Sequence, residues 1–250
     1  MKKLSRNTVQ PMLDAVTEQN PSVRITDTEV SDVIRFEPDE SIISSRRSVE
    51  YLYVILDGKA KISLVHENGK QSIIEFIGSG AYIGELTLLG IETQPQDVVA
   101  VSGCTCLRIP MQYATEHFSS DMEFLFGLSQ YLGKKLMRRS WFQSKSQSYE
   151  LRHRLAAHIL QLETNGIYKQ KHTETAEYLG VSYRHLLYTF KELLDDGSLK
   201  KNEQGYLVNR KKLEPLSADI LVKLDTENER KSTSEDVLDS DQILSFFSKA

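Results

Sequence analysis

Apolar and polar positions change rhythm along this chain. From about Ile25 to Pro110, short apolar runs alternate with turn signals: Tyr51-Leu-Tyr-Val-Ile-Leu56, Ala60-Lys-Ile-Ser-Leu-Val65, Gln71-Ser-Ile-Ile-Glu-Phe-Ile77 and Gly103-Cys-Thr-Cys-Leu-Arg-Ile109. Ala60, Ile62 and Leu64 alternate strictly, the pattern of a strand with one buried and one wet face. Asp57-Gly58 and Asn68-Gly69 are type I′ dipeptides, which predict hairpins joining the first run to the second and the second to the third. The glycine-rich stretch Gly78 to Leu89 marks a bend. Short strands at this spacing predict a barrel or jelly roll. Ahead of them, Met12, Leu13 and Val16 predict a helix packed on the roll.

The period then lengthens. Met122, Leu125, Ser129, Leu132 and Leu136 recur as a heptad seam, and Phe124, Phe126 and Leu128 add further apolar positions, predicting a helix from about Ser119 to Ser144. Apolar on two sides, it is expected to face its own roll and the same helix of a second copy. Lys134, Lys135, Arg138 and Arg139 are expected on a solvated face. A polar stretch from Phe142 to Ser148 predicts a domain boundary. Leu151, Leu155, Ile159 and Leu162 then line one face of another helix.

The segment Glu177-Tyr-Leu-Gly-Val-Ser-Tyr-Arg-His-Leu186 carries the most chemistry. Ala176 and Leu179 fit the inner face of a short helix, Gly180 can adopt the left-handed backbone that ends it, and Ser182 is a good N-cap for the next. Leu186, Leu187, Phe190, Leu193 and Leu194 follow at helical spacing, leaving Tyr183, Arg184 and His185 in an exposed first turn. This predicts a helix-turn-helix whose second helix reaches base edges in the major groove of double-stranded DNA. Arg184 can hold guanine O6 and N7 bidentately. Tyr183 suits a thymine methyl or a phosphate, and His185 a phosphate or base edge. Tyr188 shares the outer face of Arg184, and Lys191 is placed for backbone contact. Asp196-Gly197 leads into a two-stranded wing turning near Gly205, where Lys200 and Lys201 are electrostatic candidates.

Composition permits this. The 250 residues suffice for two cores, are 40% hydrophobic and 26% charged, and carry a net charge of −4, so DNA binding would depend on local rather than bulk charge. No apolar stretch is long enough to span a bilayer, and none follows Met1-Lys2-Lys3 as a signal peptide requires; a cytoplasmic protein with no membrane partner is expected. The six histidines are scattered without metal-ligand spacing, and there is no Gly-x-Ser-x-Gly elbow or P-loop, so neither catalysis nor a metal is expected.

A roll with an Asp-Gly hairpin, the Ile83-Gly-Glu-Leu86 segment and a late cysteine-bearing strand, followed by a long helix and a helix-turn-helix, resembles the CRP/FNR family of bacterial transcription regulators. Lys171 to Tyr188, Asp196-Gly197 and Gly205-Tyr-Leu207 resemble its YeiL-type subgroup, and the likeness spans roughly Ile25 to Leu216. The resemblance implies an α+β chain with an N-terminal cyclic-nucleotide-binding-type β-roll (jelly roll), a long dimerisation helix and a C-terminal winged helix-turn-helix. The expected divisions are residues 1–118, 119–145 and 146–216, with a polar, partly disordered tail at 217–250. It implies a homodimer on a palindromic operator, with RNA polymerase as a further partner. It assigns base reading to Tyr183, Arg184 and Tyr188, and phosphate contact to Lys171, His172 and Thr173.

The roll departs from the nucleotide-binding pattern. Gly84, Glu85 and Leu86 stand where an effector pocket or a purely structural bend is expected, with Gln94 in the stretch beyond. No arginine occurs between Ile91 and Arg108, and Pro95 removes a backbone donor. Cyclic AMP is therefore not expected, and the effector is open. Cys104 and Cys106 lie two apart on one strand face, as apolar fillers or a redox pair. They are too few for an iron–sulfur cluster. Another possibility is a small-molecule or redox sensing module whose winged helix docks protein instead of DNA.

Overall fold

The computed structural model describes residues 2–4, 6–19, 30–66, 71–218 and 220. In chain order the elements are β1 (Lys2–Leu4), α1 (Arg6–Gln19), β2 (Asp32–Phe36), β3 (Ser41–Ile43), β4 (Tyr51–Asp57), β5 (Ala60–Val65), β6 (Gln71–Ile77), β7 (Tyr82–Ile83), α2 (Glu85–Leu88), β8 (Asp97–Ala100), β9 (Cys104–Pro110) and α3 (Met111–Phe118). Next come α4 (Met122–Ser148), α5 (Leu151–Leu162), β10 (Ile167–Tyr168), α6 (His172–Leu179), α7 (Tyr183–Asp195), β11 (Leu199–Asn202), β12 (Gly205–Val208) and α8 (Arg210–Ser217).

Two sheets make the roll, in the orders β1-β2-β9-β4-β7 and β3-β8-β5-β6. Strand β4 is apolar from Tyr51 to Leu56 because both its faces are covered there. Leu52, Val54 and Leu56 pack with Val16 of α1, Phe118 of α3 and Phe124 and Leu128 of α4, whereas Tyr53 and Ile55 pack in the layer between the sheets. The predicted Asp57-Gly58 hairpin is corrected here: β4 and β5 belong to different sheets, and the dipeptide is the corner between them. Gly58 is required there, since its φ is +93° and a Cβ would lie 2.2 Å from the Gly103 carbonyl oxygen. The other predicted hairpin dipeptide, Asn68-Gly69, lies outside the described residues, although the strands it was expected to join do pair, Val65 opposite Gln71. A register shift between Ile62 and Ser63 also breaks the alternation in β5, burying Ser63 and leaving Leu64 exposed.

Helix α4 runs through the expected boundary and stops only at Ser148, so the polar stretch from Phe142 continues the helix. Its inner side buries Phe124, Leu128 and Tyr131. Leu125 and Leu132, expected in the seam toward a second copy, are half-buried against the roll. Met122, Ser129 and Leu136 are exposed as expected, and Phe126 and Gly133 complete their stripe, with Met137 and Trp141 beside it. Lys135 is not solvated but buried, and Arg139 is half-buried.

A third cluster surrounds α5. Leu151, Leu155, Ile159 and Leu162 are all buried, joined by Leu179, Leu186, Phe190 and Leu193, and also by Ile73 and Phe76 of β6. Within it His158 is ringed by Phe76, Tyr168 and Tyr178, and neither ring nitrogen has a hydrogen-bond partner among the described residues. Burial, followed by the nearby Lys59 cation, pushes its pKa down to about 3. The folded state thus disfavours the charged ring, so this stability is complete above the ordinary histidine range and is lost as pH falls below it. Lowering pH from 7 to 5 is expected to cost about 2 kcal/mol through this residue, at about 1.4 kcal/mol per pH unit below the unfolded value. Urea titrations at both pH values check this, and the acid loss should shrink in His158→Phe.

Candidate DNA interface and sensor cavity

The turn between α6 and α7 is built from local backbone chemistry. Gly180 has φ +66°, its N–H donates to Glu177 O, and Val181 N–H reaches back to Ala176 O, the pattern of a helix end in the left-handed conformation. From α5, Arg154 Nη1 donates to Leu179 O at 2.9 Å, fixing the corner to the underlying helix. Ser182 Oγ accepts the His185 N–H at 3.2 Å, so it caps α7 as its position predicts. Ser182→Ala is expected to cost about 1 kcal/mol, the usual loss of such a cap, measurable by urea titration.

Leu186, Phe190 and Leu193 seat one face of α7 in the core. The opposite face carries Tyr183 and Tyr188, 49% and 64% exposed, together with exposed Arg184, His185, Leu187 and Lys191. Tyr188 therefore stands clear of the neighbouring sheet, and it is Tyr206 that packs inward. The sheet β10-β12-β11 supplies the predicted two-stranded wing plus a short strand that periodicity did not reveal. Lys200 and Lys201 are exposed on β11.

The residues at the start of α6 differ among themselves. Lys171 is the N-cap residue and Thr173 is exposed, but Lys171 Nζ lies 3.2 Å from both carboxylate oxygens of Asp39 in the roll. That carboxylate raises the Lys171 pKa. His172 is half-buried, its ring 4.3 Å from Phe190 and 5.6 Å from Tyr206. Burial, then the Lys201 cation, lowers its pKa. Its ring is thus an element of the packing between α6, α7 and β12. Nothing in the local pattern announces this stack, because its partners lie well apart in sequence.

In the roll, Gly84 at φ +89° starts α2 and brings Glu85 and Leu86 to the edge of a cavity. Glu92, Pro95 and Gln96 also line it, whereas Gln94, the sequence candidate, does not. The cations come from α4, where the sequence reading expected a solvated face. Lys135 Nζ donates to Glu85 Oε1 at 2.7 Å, both side chains under a tenth exposed. Arg139 Nε donates to Glu75 Oε2 at 3.0 Å. Cys104 and Cys106 lie elsewhere, fully buried between the sheets with their sulfurs 3.6 Å apart. Hydrogen bonding to Cys104, then burial, holds the Cys106 thiol well above the usual range.

A roll joined by a long helix to a helix-turn-helix is the architecture of CRP/FNR-type transcription regulators. The sequence profile of the cyclic nucleotide-binding domain matches residues 33–121. The chain belongs to the CRP/FNR family: it is 37% identical to Regulatory protein YeiL of Escherichia coli O157:H7 over 180 residues, 72% of this chain and 82% of that one. Among solved structures it resembles a CRP-family transcriptional regulator of Thermus thermophilus, TTHB099, with a TM-score of 0.60 at 19% identity over 74% of this chain and 96% of that one. A putative CRP/FNR regulator from Eubacterium rectale gives 0.65 at 12% identity, covering 84% and 99%. These likenesses concern the fold. No helix among the described residues is long and apolar enough to cross a membrane.

Proposed function

We propose that this regulator is a homodimer that binds a palindromic operator through α7, with β11–β12 as the wing. The observation that carries this is the division of α7 into a seated apolar face and an exposed Tyr183-Arg184-Tyr188 face. In this reading Arg184 reads guanine, Tyr183 and Tyr188 contact neighbouring bases, and Lys171, Thr173, Lys191, Lys200 and Lys201 meet phosphates. His185 lies beside them, and RNA polymerase is the further partner of an activating complex. The exposed stripe Met122, Phe126, Ser129, Gly133 and Leu136 on α4 supports pairing with the same helix of a second copy, which would set two copies of α7 one helical turn of DNA apart.

The residues present do not fit a cyclic nucleotide. A phosphate in the cavity would meet the carboxylates of Glu85 and Glu92, while Lys135 is taken by Glu85 and Arg139 by Glu75. The roll responds to another effector or holds its state without one, with Cys104 and Cys106 as core fillers, no iron–sulfur cluster and no catalytic step.

A random-duplex selection at about 150 mM salt, near physiological ionic strength, tests the reading, run once reduced and once oxidised. Enrichment of a palindrome with half-sites one helical turn apart is expected under both conditions, and its absence from both would overturn operator binding. Light scattering should report a dimer that Phe126→Glu converts to monomer. Added cyclic AMP should leave the melting temperature unchanged.

A further inference from the structure

The roll and the helix-turn-helix touch each other across a substantial seam. Ile73 and Phe76 of β6 enter the same buried cluster as α5, α6 and α7, with the Phe76 ring 5.0 Å from Tyr178 and 5.4 Å from His158. Beside them Lys61 Nζ of β5 lies 2.8 Å from Glu174 Oε1 of α6, the two side chains only 13% and 16% exposed. Lys59 Nζ donates to the carbonyls of Gln161 and Glu163 at 2.7 and 3.3 Å, at the C-terminal end of α5 where helical carbonyls lack partners.

At the rim of this seam stands an acidic turn, Glu37-Pro38-Asp39-Glu40. Its shape is set by the roll. Asp39 adopts φ +66°, its N–H donates to Ala100 O at 2.8 Å, and Ala100 N–H donates to Glu40 O at 2.9 Å. So held, Asp39 presents both carboxylate oxygens to Lys171, the residue that caps α6. The first N–H groups of a helix and a lysine beside them are what a DNA phosphate oxygen would use. Here the cation is already taken by a carboxylate of the same chain.

We propose that this is a closed state in which the acidic turn of the roll stands in for a DNA phosphate at the start of α6, so that DNA must displace it. The inference rests on the DNA-binding reading given above. The parts have distinct tasks. The Asp39–Lys171 pair is more than half exposed on both sides and contributes little to holding the domains together. The Phe76 seam and the Lys61–Glu174 pair hold the closed state, and Asp39 makes that state compete with DNA. Any effector that loosened β5 and β6 from α6 would part Lys171 from Asp39, leaving it only the longer 3.7 Å contact with Glu174 on its own helix.

Two chains test this. In Lys61→Met/Asp39→Asn, asparagine tolerates the left-handed backbone at position 39, and Glu174 loses the cation that reaches it from the roll, keeping only Lys171 at 3.7 Å on its own helix. This variant should bind the selected duplex about tenfold more tightly than the parent, and amides of β6 and α6 should exchange faster. In Lys61→Cys/Glu174→Cys, a short cleavable bis-thiol-reactive linker pins the seam; Cys104 and Cys106 are fully buried and shielded from it. The linked chain should bind duplex at least tenfold more weakly, with recovery on cleavage. Unchanged affinity in the linked chain, or weaker binding by the loosened variant, overturns the lock alone. Failure of every form, the unlinked parent included, to bind any duplex overturns the DNA-binding reading and the lock together.

Discussion

Replacing Lys135 with methionine is expected to remove about 3–5 kcal/mol of stability, the usual loss when one member of a buried ion pair is deleted. Glu85 would be left under a tenth exposed without its cation, and its carboxylate has Glu92 on the same cavity wall. A thermal melt should show a drop of about 10 °C, taking about 2–4 °C per kcal/mol for a chain of this size. Replacing both partners, Lys135→Met with Glu85→Leu, should recover much of the loss, because a well-packed apolar pair avoids the desolvation of two charges. A single variant that melts within about 2 °C of the parent, less than the shift expected for 1 kcal/mol, would show that water already reaches Glu85. The pair also matters beyond stability: Glu85 belongs to α2 of the roll and Lys135 to α4, so it ties the cavity of the roll to the helix leading toward α5.

Arg184→Ala is expected to weaken binding to the selected operator by about ten- to a hundredfold, corresponding to about 1–3 kcal/mol of base discrimination. Stability should hardly change, since the side chain is exposed on α7 and has no part in the core. Binding to random duplex should fall much less, because that depends on phosphate contacts. Arg184→Lys should not restore specificity, as an ammonium cannot reproduce the planar two-donor fork. Fluorescence anisotropy on operator and scrambled duplex, each across a salt series, separates these effects. Equal loss on both duplexes would reassign Arg184 to a phosphate. The two variants act on different properties, Lys135→Met on the stability of the junction between α2 and α4 and Arg184→Ala on binding through the exposed face of α7.

Much of the helix-turn-helix half was legible because its signals are local. Gly180 ends one helix and Ser182 starts the next, and both act on backbone groups within a few residues. The apolar spacing of Leu186, Phe190 and Leu193 leaves Tyr183, Arg184 and Tyr188 outside whatever the partner elements are. His172 shows where this stops. Its place at the start of α6 suggested a phosphate contact, but its ring stacks with Phe190 and Tyr206, residues brought to it by the fold.

The roll divides in the same way. The runs in β4, β5, β6 and β9 are read from their own side chains, yet which sheet each joins depends on contacts with distant strands. Asp57-Gly58 has the composition of a hairpin, and the same left-handed glycine serves equally well at a corner between two sheets. Heptad spacing along α4 likewise states that apolar positions recur, without stating which recurrence faces the roll. The covering sheet decides that, turning Leu125 and Leu132 inward and leaving Phe126 outside.

What this sequence determined by itself, then, is its composition, such as the absence of an arginine between Ile91 and Arg108, and what short-range geometry can decide: the type of the strongly periodic elements, the helix ends around Gly180 and Ser182, and the exposed face of α7. The tertiary structure alone decided the pairings of charge. Lys135 with Glu85, Lys61 with Glu174 and Lys171 with Asp39 join residues separated by 50, 113 and 132 positions. A lysine looks the same in sequence whether it faces water or a carboxylate, because the cost of burying its charge is set by neighbours that only the folded chain supplies.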